Sequence, residues 1–155
     1  SVRKYARQFI AKKISLSYEP VETTVITDKK WLSFVIEQVI SNAVKYTKTG
    51  GIKIYLEDGD GTMSVPVQKA SHRKEDDGEN SGMKSVRLVI EDTGIGIRAE
   101  DLPRICEMGY TGCNGHEGQH SSGIGLYLCS RILKKLGHTF SITSKEGVGT
   151  VVKIG

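Results

Sequence analysis

Four stretches of the chain carry residue types that can do chemistry at spacings able to bring them together. Gln38, Asn42 and Lys45 stand four and three residues apart, so on a helix they share one face, with Tyr46 a step around it. A carboxamide oxygen suits a hard cation such as Mg2+. An ammonium suits phosphate oxygens, and a tyrosine ring offers a flat surface to a base. A polar helix face turned to water would look the same. Asp92 closes an apolar run and precedes Gly94 and Gly96. A carboxylate at a strand end can accept from an exocyclic amine such as adenine N6. The glycines let the backbone come close to a base, because no Cβ intervenes, and Ile95 and Ile97 add an apolar wall. An ordinary strand-to-helix turn uses the same residues.

Gly123, Gly125 and Leu126, after Ser121-Ser122, open a helical pattern. Free N–H groups at a helix start attract anions, although a helix leaving a flexible loop also begins with glycine. No Lys-Ser/Thr pair follows, so this is not a Walker loop. It lacks the third glycine and the parallel frame of a dinucleotide fingerprint. Gly147-Val148-Gly149-Thr150 reads as a hairpin turn whose Thr150 hydroxyl can reach a phosphate or the aspartate side of a base pocket.

The elements that must position these residues follow from periodicity. Val2, Tyr5, Ala6, Phe9, Ile10 and Ile14 predict an opening amphipathic helix. Ile14, Leu16 and Tyr18 alternate as a short strand, and Thr24 to Thr27 reads as a second, β-branched one. Asp28 is an N-cap for a helix from Lys29 to Thr47, with Trp31, Val35, Val39, Ala43 and Tyr46 at periodic positions. Gly50-Gly51 ends it, with Lys45 and Lys48 in the last turn. Strands follow at Ile52–Glu57 and Val86–Glu91. The stretch 58–85 between them has no aromatic, Leu or Ile, and reads as an extended hairpin tip or a flexible, partly disordered insertion, with Val65 and Val67 lengthening a strand. A short helix through Leu102 to Cys106, a mobile glycine-rich loop from Gly109 to Ser122, a helix from Gly123 to Leu136 and strands at His138–Ser144 and Thr150–Ile154 complete the order. Strand and helix do not alternate as in a doubly wound fold. The expected class is α+β: helices on one face of a mixed, mostly antiparallel sheet.

The 155 residues suffice for one domain, 1–155, with the insertion as its decoration. A net charge of +4, with 26% charged residues, is ordinary globular composition that permits an anionic ligand without demanding one. No apolar run nears the roughly 20 residues that span a bilayer, and the first residues show no signal-peptide pattern. Cys106, Cys113 and Cys129 match no zinc or redox spacing, which fits a reducing compartment. Of the four histidines only His116 and His120 stand close, among glycines, so no histidine metal site is expected. There is no arginine stripe with aromatic platforms, and no nucleic-acid partner is expected.

In their order along the chain these stretches resemble the ATP-binding catalytic domain of sensor histidine kinases, within the superfamily shared by DNA gyrase and mismatch-repair ATPases. Gln38-Val-Ile-Ser-Asn42-Ala-Val-Lys45-Tyr46 is similar to the family's N box and Asp92-Thr-Gly94-Ile-Gly96-Ile97 to its first glycine box. Gly123-Ile-Gly125-Leu126 and Gly147-Val-Gly149-Thr150 resemble the later ones. Asp28-Lys-Lys-Trp31 and Gly123 to Cys129 are similar to intramembrane-sensing kinases of Gram-positive bacteria associated with bacitracin-type resistance.

The resemblance implies a two-layer α/β sandwich of the Bergerat type with ATP between the N-box helix and a lid. It implies Mg2+ on Asn42, phosphate on Lys45, and adenine beside Tyr46 and on Asp92. Gly94 and Gly96 would shape that pocket, and the amides of Gly123, Gly125 and Leu126 would meet the phosphates. It further implies transfer of the γ-phosphoryl group to a histidine on the helical phosphoacceptor and dimerisation domain of the same kinase, and then a response regulator. The whole kinase would be a membrane-anchored homodimer of the bacterial inner membrane, and this chain a monomeric cytoplasmic part.

Three departures stand out. No phosphoacceptor segment of the His-Glu-x-x-Thr-Pro kind is present. Gln38 stands where hydrolysing relatives carry a glutamate base. The lid offers His116, Gln119 and His120 where relatives have Lys or Arg, which opens a pH-dependent phosphate contact. The alternatives within the superfamily are a gyrase-type ATPase and a serine-directed anti-sigma kinase.

Overall fold

A computed structural model describes residues 2–18, 25–59, 85–112 and 122–155. The expectations for Thr24, for the body of the insertion, for His72, and for Cys113, His116, Gln119 and His120 of the lid lie outside these residues.

A 3-10 turn, Val2–Tyr5, runs into helix α1, Ala6–Lys12. Strand β1 is Ser15–Tyr18 and helix α2 is Lys29–Tyr46. Strands β2, Gly51–Asp58, and β3, Val86–Asp92, follow. A 3-10 turn at Leu102–Arg104 precedes helix α3, Gly125–Leu136, and β4, Phe140–Lys145, and β5, Gly149–Ile154, close the chain. The five strands lie in the order β1-β2-β3-β5-β4. Among the described residues only β1 and β2 pair in parallel; β2–β3, β3–β5 and β4–β5 are antiparallel. The expected α+β class with a mixed, mostly antiparallel sheet is what the chain adopts.

One buried cluster joins the layers. Register places Ile54, Ile90 and Val152 in a row across three strands. They pack with Val35, Val39, Ile40 and Val44 of α2, Phe9 of α1 and Leu133 of α3. Each such side chain taken out of water contributes about 1.5–3 kcal/mol. The other sheet face is closed by charge. Glu57, only 4% exposed, accepts from Lys153 Nζ at 2.6 and 2.9 Å and faces Arg87 at 3.7 Å. This pair reaches from β2 to β5 across β3, where Val89, in register with Tyr55 and Lys153, is fully buried. A carboxylate so far from water persists only because it is paired.

The differences from expectation have local causes. The opening helix breaks into two pieces, and Lys13 turns left-handed (φ 54°), so Ile14 falls outside it and Ile10 points to water, 78% exposed. Residues 25–27 form no strand, and Ile26 is 99% exposed. The run leads straight into the Asp28 cap of α2, and no strand pairs with it. Asp28 caps α2 as expected, accepting from the amides of Lys30 and Trp31 at 2.9 and 3.2 Å, yet Trp31 is half exposed. The expected helix to Cys106 is a three-residue 3-10 turn with Pro103 in its first positions, closed by bonds three residues apart such as Arg104 N–H to Asp101 O. Helix α2 ends at Thr47 in extended conformation, not at the glycines. Among the described residues no helix is long and apolar enough to cross a membrane.

Candidate functional site

A cavity of about 320 Å³ opens between the sheet, α2 and the N-terminus of α3. Helix α2 offers Gln38, Asn42, Lys45 and Tyr46 to it, β3 and the turn beyond offer Asp92, Gly96 and Ile97, the entry to α3 offers Gly123, Gly125 and Leu126, and β5 offers Thr150. One wall therefore draws on segments over a hundred residues apart in sequence. Lys45 Nζ lies 5.2 Å from the centroid of the Tyr46 ring, within cation–π range.

Asp92 is the most constrained group. It is the last residue of β3, buried, and its Oδ1 accepts from Gly94 N–H at 2.8 Å. Burial pushes its pKa above the ordinary carboxylate value, and hydrogen bonds from the amides of Gly94 and Thr150 pull partly back. A carboxylate held this way is ready to accept from one more donor in the cavity.

Gly94 does not line the cavity. Its missing side chain serves the protein's own packing: a Cβ there would lie 2.6 Å from the Tyr46 carbonyl oxygen. Gly96 combines a left-handed backbone (φ 69°) with a close approach, since a Cβ would fall 2.1 Å from the Lys145 carbonyl. The glycines expected to admit a ligand thus first admit helix α2 and the β4–β5 hairpin. The amides around them are occupied as well. Thr93 N–H donates to Gly51 O and Ile95 N–H to Tyr46 O, both at 3.1 Å. Ile97 N–H donates to Ser144 Oγ at 2.8 Å. Ser144 also meets Thr150 Oγ1 at 2.9 Å, so the Thr150 hydroxyl is engaged with the neighbouring strand β4.

At the other end, Gly109 N–H donates to Gly123 O at 3.0 Å, which ties the entry of α3 to the loop before it. A Cβ on Gly125 would meet Gln38 Oε1 at 3.0 Å, so the Gln38 carboxamide reaches the start of α3. Pairwise reading of motifs missed one wall of the cavity, made by Asp101, Tyr110, Thr111 and Gly112. Asp101 is buried and accepts from the Tyr110 hydroxyl, and the Arg104 guanidinium stacks 4.4 Å from the Tyr110 ring centroid. The only signal in the sequence is a charged residue beside the apolar Leu102.

Among the described residues no group of three His, Cys, Asp or Glu is arranged to hold a metal. Asn42 offers a single neutral oxygen. That donor set fits a hard cation whose remaining ligands are phosphate oxygens and water, not a caged one. Cys129 is fully buried, and burial pushes its thiol up to about 12, so it is a packing residue.

A mixed sheet backed by helices on one face, with a cavity running from a buried carboxylate to a helix N-terminus, defines an ATP-binding domain of two layers. Residues 27–155 match the family described as histidine kinase-, DNA gyrase B- and HSP90-like ATPase. The chain belongs to that family. Over 98% of its length it is 33% identical to the sensor histidine kinase YxdK of Bacillus subtilis (strain 168), and over 86% it is 34% identical to the sensor protein kinase GraS of Staphylococcus aureus (strain JH1). These are the Gram-positive sensor kinases that the motifs implied. The chain spans 41% and 32% of their lengths. Among solved structures, the catalytic domain of histidine kinase ThkA has the same fold, with a TM-score of 0.68 at 20% identity over 98% of this chain and 84% of that one. Full-length ShkA in complex with AMPPNP gives 0.68 at 20% identity over 98% of this chain and 27% of that one.

Proposed function

We propose that this chain is the catalytic domain of a sensor histidine kinase. It binds Mg-ATP and delivers the γ-phosphoryl group to a histidine on the helical phosphoacceptor and dimerisation domain of the same kinase, from which a response regulator takes it. The whole kinase is a membrane-anchored homodimer; this chain is a cytoplasmic, monomeric part of it. The observation that carries the reading is Asp92, a buried carboxylate held by the Gly94 amide at one end of a cavity whose other end is the N-terminus of α3.

In this reading Asp92 accepts from adenine N6, and Tyr46, Ile95 and Ile97 bound the base. Lys45 and the amides of Gly123, Gly125 and Leu126 meet the phosphates. Asn42 supplies one oxygen to the Mg2+ that arrives with ATP and neutralises phosphate charge. The chain's own contribution is positioning and electrostatic stabilisation. The Gln38 carboxamide is not basic enough to take a proton from an attacking water, so hydrolysis by water is slow.

The reading is tested by mixing the chain with Mg-ATP labelled at the γ position and a helical phosphoacceptor domain. Acid-labile label on that domain's histidine supports it; acid-stable label on serine, or hydrolysis without transfer, overturns it. The metal assignment has its own check. Asn42→Ala is expected to weaken ATP binding about tenfold in Mg2+ and to leave it unchanged in EDTA. Calorimetry under both conditions measures this, and an equal loss in EDTA removes Asn42 from the metal.

A further inference from the structure

Helix α2 presents Asn42, Lys45 and Tyr46 to the cavity from its last turns, yet its end has no glycine cap. An α-helix leaves its last carbonyls without partners inside the helix, and here they are satisfied from elsewhere in the fold. The Thr47 amide makes the helix's own last bond, to Ala43 O at 3.0 Å, and beyond it the Ile95 amide takes Tyr46 O at 3.1 Å. The rest go to one side chain. Lys12 Nζ, from the last turn of α1, donates to Val44 O at 2.6 Å, to Lys45 O at 3.2 Å and to Thr47 O at 3.4 Å. Lys12 does not line the cavity, and α1 contributes nothing else to it.

We propose that Lys12 is a positioning residue for nucleotide binding: its ammonium, seated on three carbonyls, sets where the turn bearing Lys45 and Tyr46 stands. Three acceptors on one cation fix the helix end in direction as well as distance. The cation also opposes the negative end of the helix dipole, which otherwise faces a site built for a polyanion. Lys45 and Tyr46 then reach the cavity from a backbone braced on two sides, by Lys12 from α1 and by the Ile95 amide from the turn after Asp92. This rests on the ATP reading above for its consequence, but not for its geometry.

The test compares Lys12→Met, which keeps the apolar stem and loses the charge and donors, with Lys12→Arg, which keeps both. Well below the melting temperature the folded fraction is close to one, so a substitution that only lowers stability leaves the dissociation constant unmoved. Lys12→Met is expected to raise the Kd for Mg-ATP at least about fivefold, and Lys12→Arg to restore it to within about twofold of wild type. If Lys12→Met does not fold, Lys12→Gln, with one donating group, takes its place and is expected to fall between the two. An unchanged Kd with a lowered melting temperature overturns the proposal.

Amide hydrogen exchange without nucleotide is read on the same samples. Faster exchange at Thr47 and Ile95, with Val89 and Ile90 of β3 unchanged, supports the positioning role; uniform exchange across the fold overturns it. A wild-type chain that fails to bind Mg-ATP counts against the proposed function, and the exchange measurement still decides the role of Lys12.

Discussion

Asp92→Ala is expected to weaken adenine-nucleotide binding about ten- to a hundredfold, or about 1.5–3 kcal/mol, the range for a hydrogen bond to a charged group. The wild-type affinity should carry a pH signature that the variant lacks. Burial raises the Asp92 pKa, and the ionised form accepts from an amine more strongly than the neutral acid does. Binding is therefore full above the raised pKa and declines as pH falls through it, at a higher pH than an ordinary carboxylate would show. The unliganded fold has the opposite sign. Its Asp92 holds a proton more tightly than the unfolded chain does, so stability falls as pH rises from the ordinary carboxylate value to the raised one. Calorimetry with adenosine, which has no phosphate to titrate, follows the binding arm. Equal affinity in wild type and variant would remove Asp92 from the base pocket.

The second large effect lies in the backbone behind that carboxylate. Gly149 starts β5 with φ 142°, and a Cβ on it would fall 1.9 Å from Asp92 O, 2.9 Å from Asp92 C and 3.0 Å from Thr93 Cα. All three are main-chain atoms that no rotamer can move. Gly149→Ala must push the start of β5 away from β3, opening the Asp92–Thr150 pairing beside the carboxylate. The expected loss is about 2–4 kcal/mol of stability, with nucleotide affinity falling alongside. Gly147, two residues earlier, is a control. It too is left-handed (φ 74°), but nothing lies within 4 Å of its Cβ position, so Gly147→Ala should cost only about 1 kcal/mol. Urea unfolding of the two variants decides it: if Gly149→Ala is no worse than Gly147→Ala, the close approach is not limiting.

What could be read from the sequence were features with local causes. The period of α2 placed Asn42 and Lys45 on the face that lines the cavity, and an acidic residue closing the β3 run was enough to single out Asp92. Each signal is contained within a few residues of sequence. The cap on α2 was misread because Gly50-Gly51 satisfies a local rule, whereas the donors come from Lys12 and Ile95. The run at 25–27 has strand-forming residues, but β-branched residues make a strand only where a neighbour pairs with them, and no strand pairs with this run. Asp101 and Tyr110 form one wall through a hydrogen bond across nine residues, a spacing with no helical or strand period to betray it. The glycines of the first box read in the sequence as room for a ligand or as an ordinary turn; what they touch is α2 and the β4–β5 hairpin.

With the amides of residues 93, 94, 95 and 97 spent on the protein itself, the base end of the cavity has little polar vocabulary left. In the proposed reading, telling adenine from guanine falls to the free electron pairs of a single side chain. An amine at the purine six position meets a partner there, and a keto oxygen meets a like partial charge. Selectivity on that edge would have no reserve: the loss of one group would erase discrimination as well as affinity.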